Sequence, residues 1–213
     1  MSDVDFAAAY GQRQPLLIEL AATLQAKAVS ALEGIKHIDR VVFRAKDLDS
    51  FLEKAGRTED DAPKYAHPLV ELEDQVAGRV VTFFRDDIPI VRKRLEQWFG
   101  AVEHVVKEPA GPKEFDYESD HYVFVISEHD KPAGWSDLED MPTTFEFQVR
   151  TLFMHAWAEP QHDLGYKTPQ GLELDRETKR ELAWVAASAW GADRTLNQVA
   201  VNLGAFDEAH RAG

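Results

Sequence analysis

Phe145-Glu146-Phe147-Gln148-Val149-Arg150-Thr151 alternates strictly between apolar and polar side chains. In a strand, Phe145, Phe147, Val149 and Thr151 share one face, and Glu146, Gln148 and Arg150 share the other. One polar face is ordinary for a half-buried strand. The continuation is less ordinary, because Leu152 to Lys167 reads as a helix running directly off the strand. A carboxylate, an amide and a guanidinium on one strand face, followed at once by a helix, suit the floor of a phosphate and metal site.

Working outward, Leu17, Ala21, Leu24, Ala28 and Leu32 recur at helical spacing, which predicts a helix over 14–32. A short strand is expected near 38–45, then a helix over 48–55 capped by Asp47. Residues 56–67 read as a polar loop. Val76 to Phe84 reads as a strand whose internal Gly78 signals close backbone approach or a bulge. Asp87 to Trp98 reads as an amphipathic helix with Pro89 in its first turn. Strands are expected near 102–107 and from Tyr122 to Ile126, with loops at 108–116 and 128–143, and a last helix from Leu174 to Asn202. Strands and helices interleave, yet two strand pairs are joined by loops too irregular for helical crossovers. The expected fold is α+β, with a mixed sheet of about five strands flanked by N- and C-terminal helices.

Composition sets the outer bounds. A chain of 213 residues with 44% hydrophobic residues can build one substantial core. No apolar run approaches the 18 or so residues that a membrane helix needs. The acidic start, Met1-Ser2-Asp3-Val4-Asp5, lacks a secretory pattern, so a cytoplasmic location is the simplest expectation. The absence of cysteine removes disulfides, thiolate nucleophiles and cysteine zinc sites. A net charge of −14 opposes nonspecific binding to nucleic acid, which depends on lysine and arginine releasing counterions. Arg44, Lys46, Lys54, Arg79 and Arg85 can still focus a local cationic patch, suited to a small phosphorylated ligand.

Three further groups carry chemistry. Arg44 and Lys46 are two apart on a strand, and Ser50 and Lys54 are four apart on a short helix, so each pair shares a face. Cations and a hydroxyl meeting at a strand–helix junction suit a polyphosphate. Asp74, at the opening of a strand that carries Gly78 and Arg79, can join Glu146 around Mg²⁺, which takes one or two carboxylates plus substrate oxygens. Tyr117, Ser119 and His121 share a face if their strand begins early, offering an aromatic ring, a hydroxyl and an imidazole to a nucleotide. Each group alone has a plainer reading: a solvated strand edge, a turn aspartate, a surface histidine.

Taken in order, the groups have a pattern: Arg-x-Lys-x3-Ser-x3-Lys, Asp-x3-Gly-Arg, Pro-Lys-x3-Tyr-x-Ser-x-His, Glu-x-Gln-x-Arg-Thr, then Trp-Ala-Glu-x2-His with Tyr-Lys. From about Ile38 to Lys167 the chain resembles the synthetase domain of the RelA/SpoT alarmone synthetases, in a small single-domain form. The resemblance implies a nucleotidyltransferase-like fold at 38–170, between helical segments at 1–37 and 171–213. It implies transfer of pyrophosphate from ATP to the 3′-hydroxyl of GDP or GTP, with Mg²⁺. Arg44 would meet the adenine, with Lys46, Ser50 and Lys54 on the ATP phosphates. Arg79 and Arg85 would serve the ATP side, Arg85 as a second adenine-stacking arginine. Asp74 and Glu146 would hold the metal, and Glu146 would also take the acceptor proton. Lys113 and His121 would contact phosphates, Tyr117 would stack on the acceptor base, and Gln148, Arg150 and Ala158 would shape the acceptor side. His162 and Lys167 complete the motif.

The chain departs from the family where the acceptor is read. Phe115-Asp116-Tyr117-Glu118-Ser119 stands in place of the usual Asn-Gly-Tyr-Arg-Ser, and Asp47 replaces a serine. Phe115 offers no hydrogen bond to a guanine edge, and Glu118 reverses a charge beside acceptor phosphates. Two other readings therefore stand beside the synthetase: a nucleotide-binding regulatory module without turnover, and a toxin-type relative acting on an adenine nucleotide or the 3′ end of tRNA. His129-Asp130 and His162-Asp163 resemble pieces of a metal phosphohydrolase but lack further ligands at suitable spacing. Trp184, Val185, Trp190 and Leu196 give the last helix more apolar surface than one helix hides, so it should pack on the sheet or form an oligomer contact.

Overall fold

The computed structural model describes residues 6–107, 115, 119–167 and 174–206, the side chains of 162, 163 and 165–167 excepted. Its helices are α1 (Phe6–Ala31), α2 (Leu48–Ala55), α3 (Pro68–Glu71), α4 (Ile88–Trp98), α5 (Leu152–Lys167) and α6 (Arg176–Asn202). Its strands are β1 (Ile38–Ala45), β2 (Thr58–Glu59), β3 (Ala62–Pro63), β4 (Val76–Thr82), β5 (Ala101–Lys107), β6 (Ser119–Val125) and β7 (Thr144–Thr151). Five strands form one sheet in the order β1-β4-β7-β6-β5. Only the central pair, β4 and β7, is parallel; the other three pairings are antiparallel. The fold is therefore α+β with a mixed sheet, as the interleaved pattern predicts.

One face of the sheet is the core. Phe43, Val76, Val80, Phe145, Phe147, Val149, Tyr122 and Phe124 meet Leu17, Leu20 and Leu24 of α1 and Val91 and Leu95 of α4 there. Gly78 pairs in register with Phe43 on one side and Phe147 on the other. Their rings close over the glycine with centroids 5.1 Å apart. The internal glycine thus marks a close approach by side chains, with the strand ladder intact.

Helix α1 begins eight residues before the helix predicted over 14–32 and runs through Pro15. A proline there removes one helical hydrogen bond. The upstream turns are held by tertiary contacts instead. Tyr10 stacks on Phe51 at 4.0 Å and donates to the Lys46 carbonyl at 2.8 Å. Buried Arg13 donates to the carbonyls of Leu69, Glu139 and Asp140. Asp47 caps α2 by accepting from the Ser50 amide at 2.8 Å, as expected. The polar loop 56–67 contains a small hairpin, β2–β3, turning on Asp60 and Asp61 at positive φ. Strand β6 starts at Ser119, three residues before its apolar run, because pairing with Lys107 extends the ladder into polar sequence. On α6, Trp184 is 72% exposed, so a large apolar side chain is left uncovered there. No helix among the described residues is long and apolar enough to cross a membrane.

Candidate active site on the polar sheet face

The face opposite the core carries the chemistry, and strand register aligns it in rows. Arg44, Ala77, Glu146, Val123 and Glu103 occupy one row across five strands. Val42, Arg79, Gln148, His121 and Val105 form the next. Arg150 follows beside Val81 and Arg40. Period-two alternation on β7 thus becomes three neighbouring ridges of charge.

Glu146 is the best-supported carboxylate. The His121 imidazole lies 2.9 Å from its Oε1, through Nδ1, and Gln148 Nε2 donates to the same oxygen at 2.6 Å. Burial alone would raise this carboxyl's pKa. The bonds from His121 and Gln148 outweigh it, with help from the Lys54 charge, and bring the value to about 2. A depressed carboxylate stabilises the fold above its ordinary value of 4.5, and that contribution drains away as pH falls toward 2. Glu146→Gln should therefore flatten the acid limb of stability between those two pH values, by about 3 kcal/mol. Urea titrations across that range test this; parallel acid limbs for the two proteins would overturn it.

Asp74 lies in the short turn before β4 rather than on the strand, at φ −90° and ψ 18°. Lys46 and Lys54 both reach its Oδ2, at 2.8 and 2.9 Å. Oδ1 is buried and has no hydrogen-bond partner among the described residues. Leaving such an oxygen unmet is costly, and a hard cation would satisfy it. Glu73 and Glu103 add negative charge nearby. Partial burial, then Glu103 and Glu146, raise the Glu73 pKa. Neither residue stood out in the sequence, because Glu103 reaches this row only through strand pairing.

The second ridge leads to an unassigned residue. Arg79 Nη1 and Arg150 Nη2 both donate to Glu159 Oε1, at 2.6 and 2.7 Å, and Arg79 Nε donates to Gln148 at 3.3 Å. His155 Nδ1 lies 3.6 Å from the same Glu159 oxygen. Burial and the Arg150 charge push the His155 pKa down. Glu159 belongs to the Trp-Ala-Glu motif, and its spacing of four from His155 is the signal that the two share a face.

Other expected members fall elsewhere. Arg85 follows the far end of β4, beyond a strand stretch of about 16 Å from Ala77. It meets the buried Asp193 of α6 at 3.5 Å. The structure therefore does not bring it to Arg44, which stays exposed at the opposite end. Ala158 is buried in a small cluster with Trp157 and Ala186 of α6. Ser50 stays at the start of α2, bonded to its cap. Phe115 packs edge-on against Trp190, with centroids 5.5 Å apart. Lys113 and Tyr117 lie outside the described residues, as do the side chains of His162 and Lys167.

Known proteins share this family region and this fold. Residues 43–171 match the family model described as a region found in RelA/SpoT proteins. The chain is 32% identical over 157 residues to the GTP pyrophosphokinase YjbM of Bacillus subtilis (strain 168), covering 68% of this chain and 67% of that one. It is similar to the crystal structure of small alarmone synthetase 1 from Bacillus subtilis, with a TM-score of 0.66 and 25% identity over 94% of this chain and 97% of that one. The same enzyme bound to its product pppGpp gives a TM-score of 0.62 and 26% identity, over 93% and 96% of the two chains. A polar sheet face ordered by Glu146, a lysine-clasped Asp74 before β4, and a matching family model over more than half the chain lead to one assignment: this chain belongs to the RelA/SpoT family.

Proposed function

We propose that this chain is a pyrophosphokinase that transfers the β,γ-pyrophosphate of ATP to the 3′-hydroxyl of a nucleotide, with GDP and GTP as the acceptors the family implies. The observation that carries the reading is the Glu146 carboxylate, kept ionised by His121 and Gln148 on the same face as the arginine ridge. A relative named as a GTP pyrophosphokinase, and a similar structure holding its product pppGpp, support it.

Transfer of this kind is mainly positioning and charge neutralisation. Lys46 and Lys54 are gathered on Asp74, from where their ammonium groups can turn to the ATP polyphosphate. Arg44 and Arg79 serve the donor, and Gln148 and Arg150 the acceptor side. Mg²⁺ fits Asp74, with its unmet buried oxygen, together with Glu146, and would neutralise phosphate charge there. Glu146 receives the acceptor proton. At about 2 its carboxyl is a weak base, but the His121 bond helps to hold it there. An acceptor hydroxyl that displaces the imidazole would raise its basicity in the same step.

Acceptor selectivity is relaxed in this reading. Phe115 offers the guanine edge no hydrogen bond, and its ring is packed against Trp190. The test is incubation with ATP, Mg²⁺ and each of GMP, GDP, GTP, AMP, ADP, ATP and deacylated tRNA, with products separated by anion exchange. AMP is expected in step with a 3′-pyrophosphorylated acceptor, with guanine nucleotides favoured by less than about a hundredfold, or ~2.7 kcal/mol. Release of ADP or phosphate alone overturns the transfer. Nucleotide binding without AMP formation favours a regulatory module, and modified tRNA alone favours the toxin-type reading. A larger guanine preference overturns the relaxed selectivity.

A further inference from the structure

Glu159 sits where an anion would be expected. The two guanidinium groups that reach it come from neighbouring strands, and both donate to one oxygen, Oε1. Register explains the convergence: Arg79 pairs with Gln148 and Arg150 with Val81, so the two arginines are diagonal neighbours on one face. Helix α5 starts directly after Thr151 and packs against β4 and β7. Glu159, about 10 Å along that helix, thereby comes over the arginine pair.

The partners differ in freedom. The Arg150 side chain is 3% exposed and that of Arg79 is 23% exposed, whereas that of Glu159 is 53% exposed. The arginines are set into the sheet face, and the carboxylate is the member able to swing into water. Among the described side chains, the two guanidinium groups share this one carboxylate oxygen. Burial and the Arg150 charge lower the His155 pKa, which works against a further positive charge there. Burial opposes the ionised form of Glu159, but Arg79 and Arg150 hold its pKa below the usual range. A phosphate oxygen can accept from two arginines in the same way and brings more negative charge.

We propose that Glu159 is an internal anion that competes with a nucleotide phosphate for Arg79 and Arg150, and so sets how tightly the site holds its nucleotide. This rests on the nucleotide reading given above. Glu159 is then a positioning residue that holds the arginines in place and is displaced on binding. Its removal strengthens phosphate binding, whereas removal of an ordinary structural tie would loosen the site and weaken binding.

The experiment is calorimetric titration of the full chain with inorganic tripolyphosphate and with a non-hydrolysable ATP analogue, comparing wild type with Glu159→Gln and Glu159→Asp. Glutamine keeps the shape and removes the charge, so Glu159→Gln should bind tripolyphosphate about tenfold tighter at low salt, with the gain shrinking as salt rises. Glu159→Asp keeps the charge on a shorter stem and should fall between the two. Adding Arg150→Met to Glu159→Gln should erase the gain. Equal or weaker binding by a folded Glu159→Gln variant overturns the inference. A gain that persists with Arg150→Met also overturns it, because the arginine pair would not be its source. Binding is read without turnover, so the two readings can fail separately. A wild type that makes no AMP while Glu159→Gln gains affinity loses only the transfer function. A wild type that transfers pyrophosphate while Glu159→Gln gains nothing loses only the competing anion.

Discussion

Glu146→Gln is expected to abolish pyrophosphate transfer while leaving ATP binding largely intact. The substitution preserves the volume of a partly buried side chain and removes its charge. Two donors, His121 Nδ1 and Gln148 Nε2, meet on Oε1 in the wild type. The variant's amide oxygen can still accept from them, so the local fold should survive. It can neither take the acceptor proton nor offer an anionic ligand to Mg²⁺. Loss of a positioned base commonly costs a factor on the order of 10² to 10⁴ in rate. Single-turnover AMP formation, measured beside binding of a non-hydrolysable ATP analogue, separates chemistry from affinity. Turnover within tenfold of wild type in a folded variant would reduce Glu146 to a strand residue with a well-satisfied carboxylate.

Gly78→Ala should be the most damaging single methyl in the sheet. A Cβ built at this position would stand 2.4 Å from ring carbons of both Phe43 and Phe147. The rings have little room to retreat. Phe43 packs on Phe145 at 5.9 Å, and Phe147 on Phe124 at 6.3 Å. Overpacking of this kind costs about 3 kcal/mol, which for a chain of this size is roughly 6–12 °C in Tm. Phe43→Leu in the same background should recover part of the loss, because it removes one of the two clashes. Denaturant unfolding reads both effects, and an unchanged midpoint for Gly78→Ala would show that the rings yield at no cost.

The legible parts of this protein were those in which neighbours in sequence remain neighbours in space. Alternation from Phe145 to Thr151 was sufficient to place Glu146, Gln148 and Arg150 on one face, because a strand has a period of two wherever it lies in the sheet. Asp47 preceding Leu48 was sufficient to start α2, because a cap acts over three residues. The ordered motifs carried the family for the same reason. The first turns of α1 are not legible in the sequence because Pro15 weakens the local signal, while Tyr10 and Arg13 are held by partners 36 to 127 residues away. That Arg85 meets Asp193 of α6 is not legible in the sequence, because a linear motif does not record which end of a strand a side chain follows.

By itself the sequence determined the α+β class, the polar ridge on β7 and membership of the RelA/SpoT family, whereas the closing of Lys46 and Lys54 on Asp74 came from the tertiary structure. The tertiary structure alone decided that His121 lowers the pKa of Glu146, that Glu103 joins the Glu146 row, and that Glu159 bridges Arg79 and Arg150. The physical reason is strand order. The sheet sets β7 between β4 and β6, strands separated from it by 61 and 18 residues, and the energy of each of these contacts depends on a pairing that local periodicity does not encode.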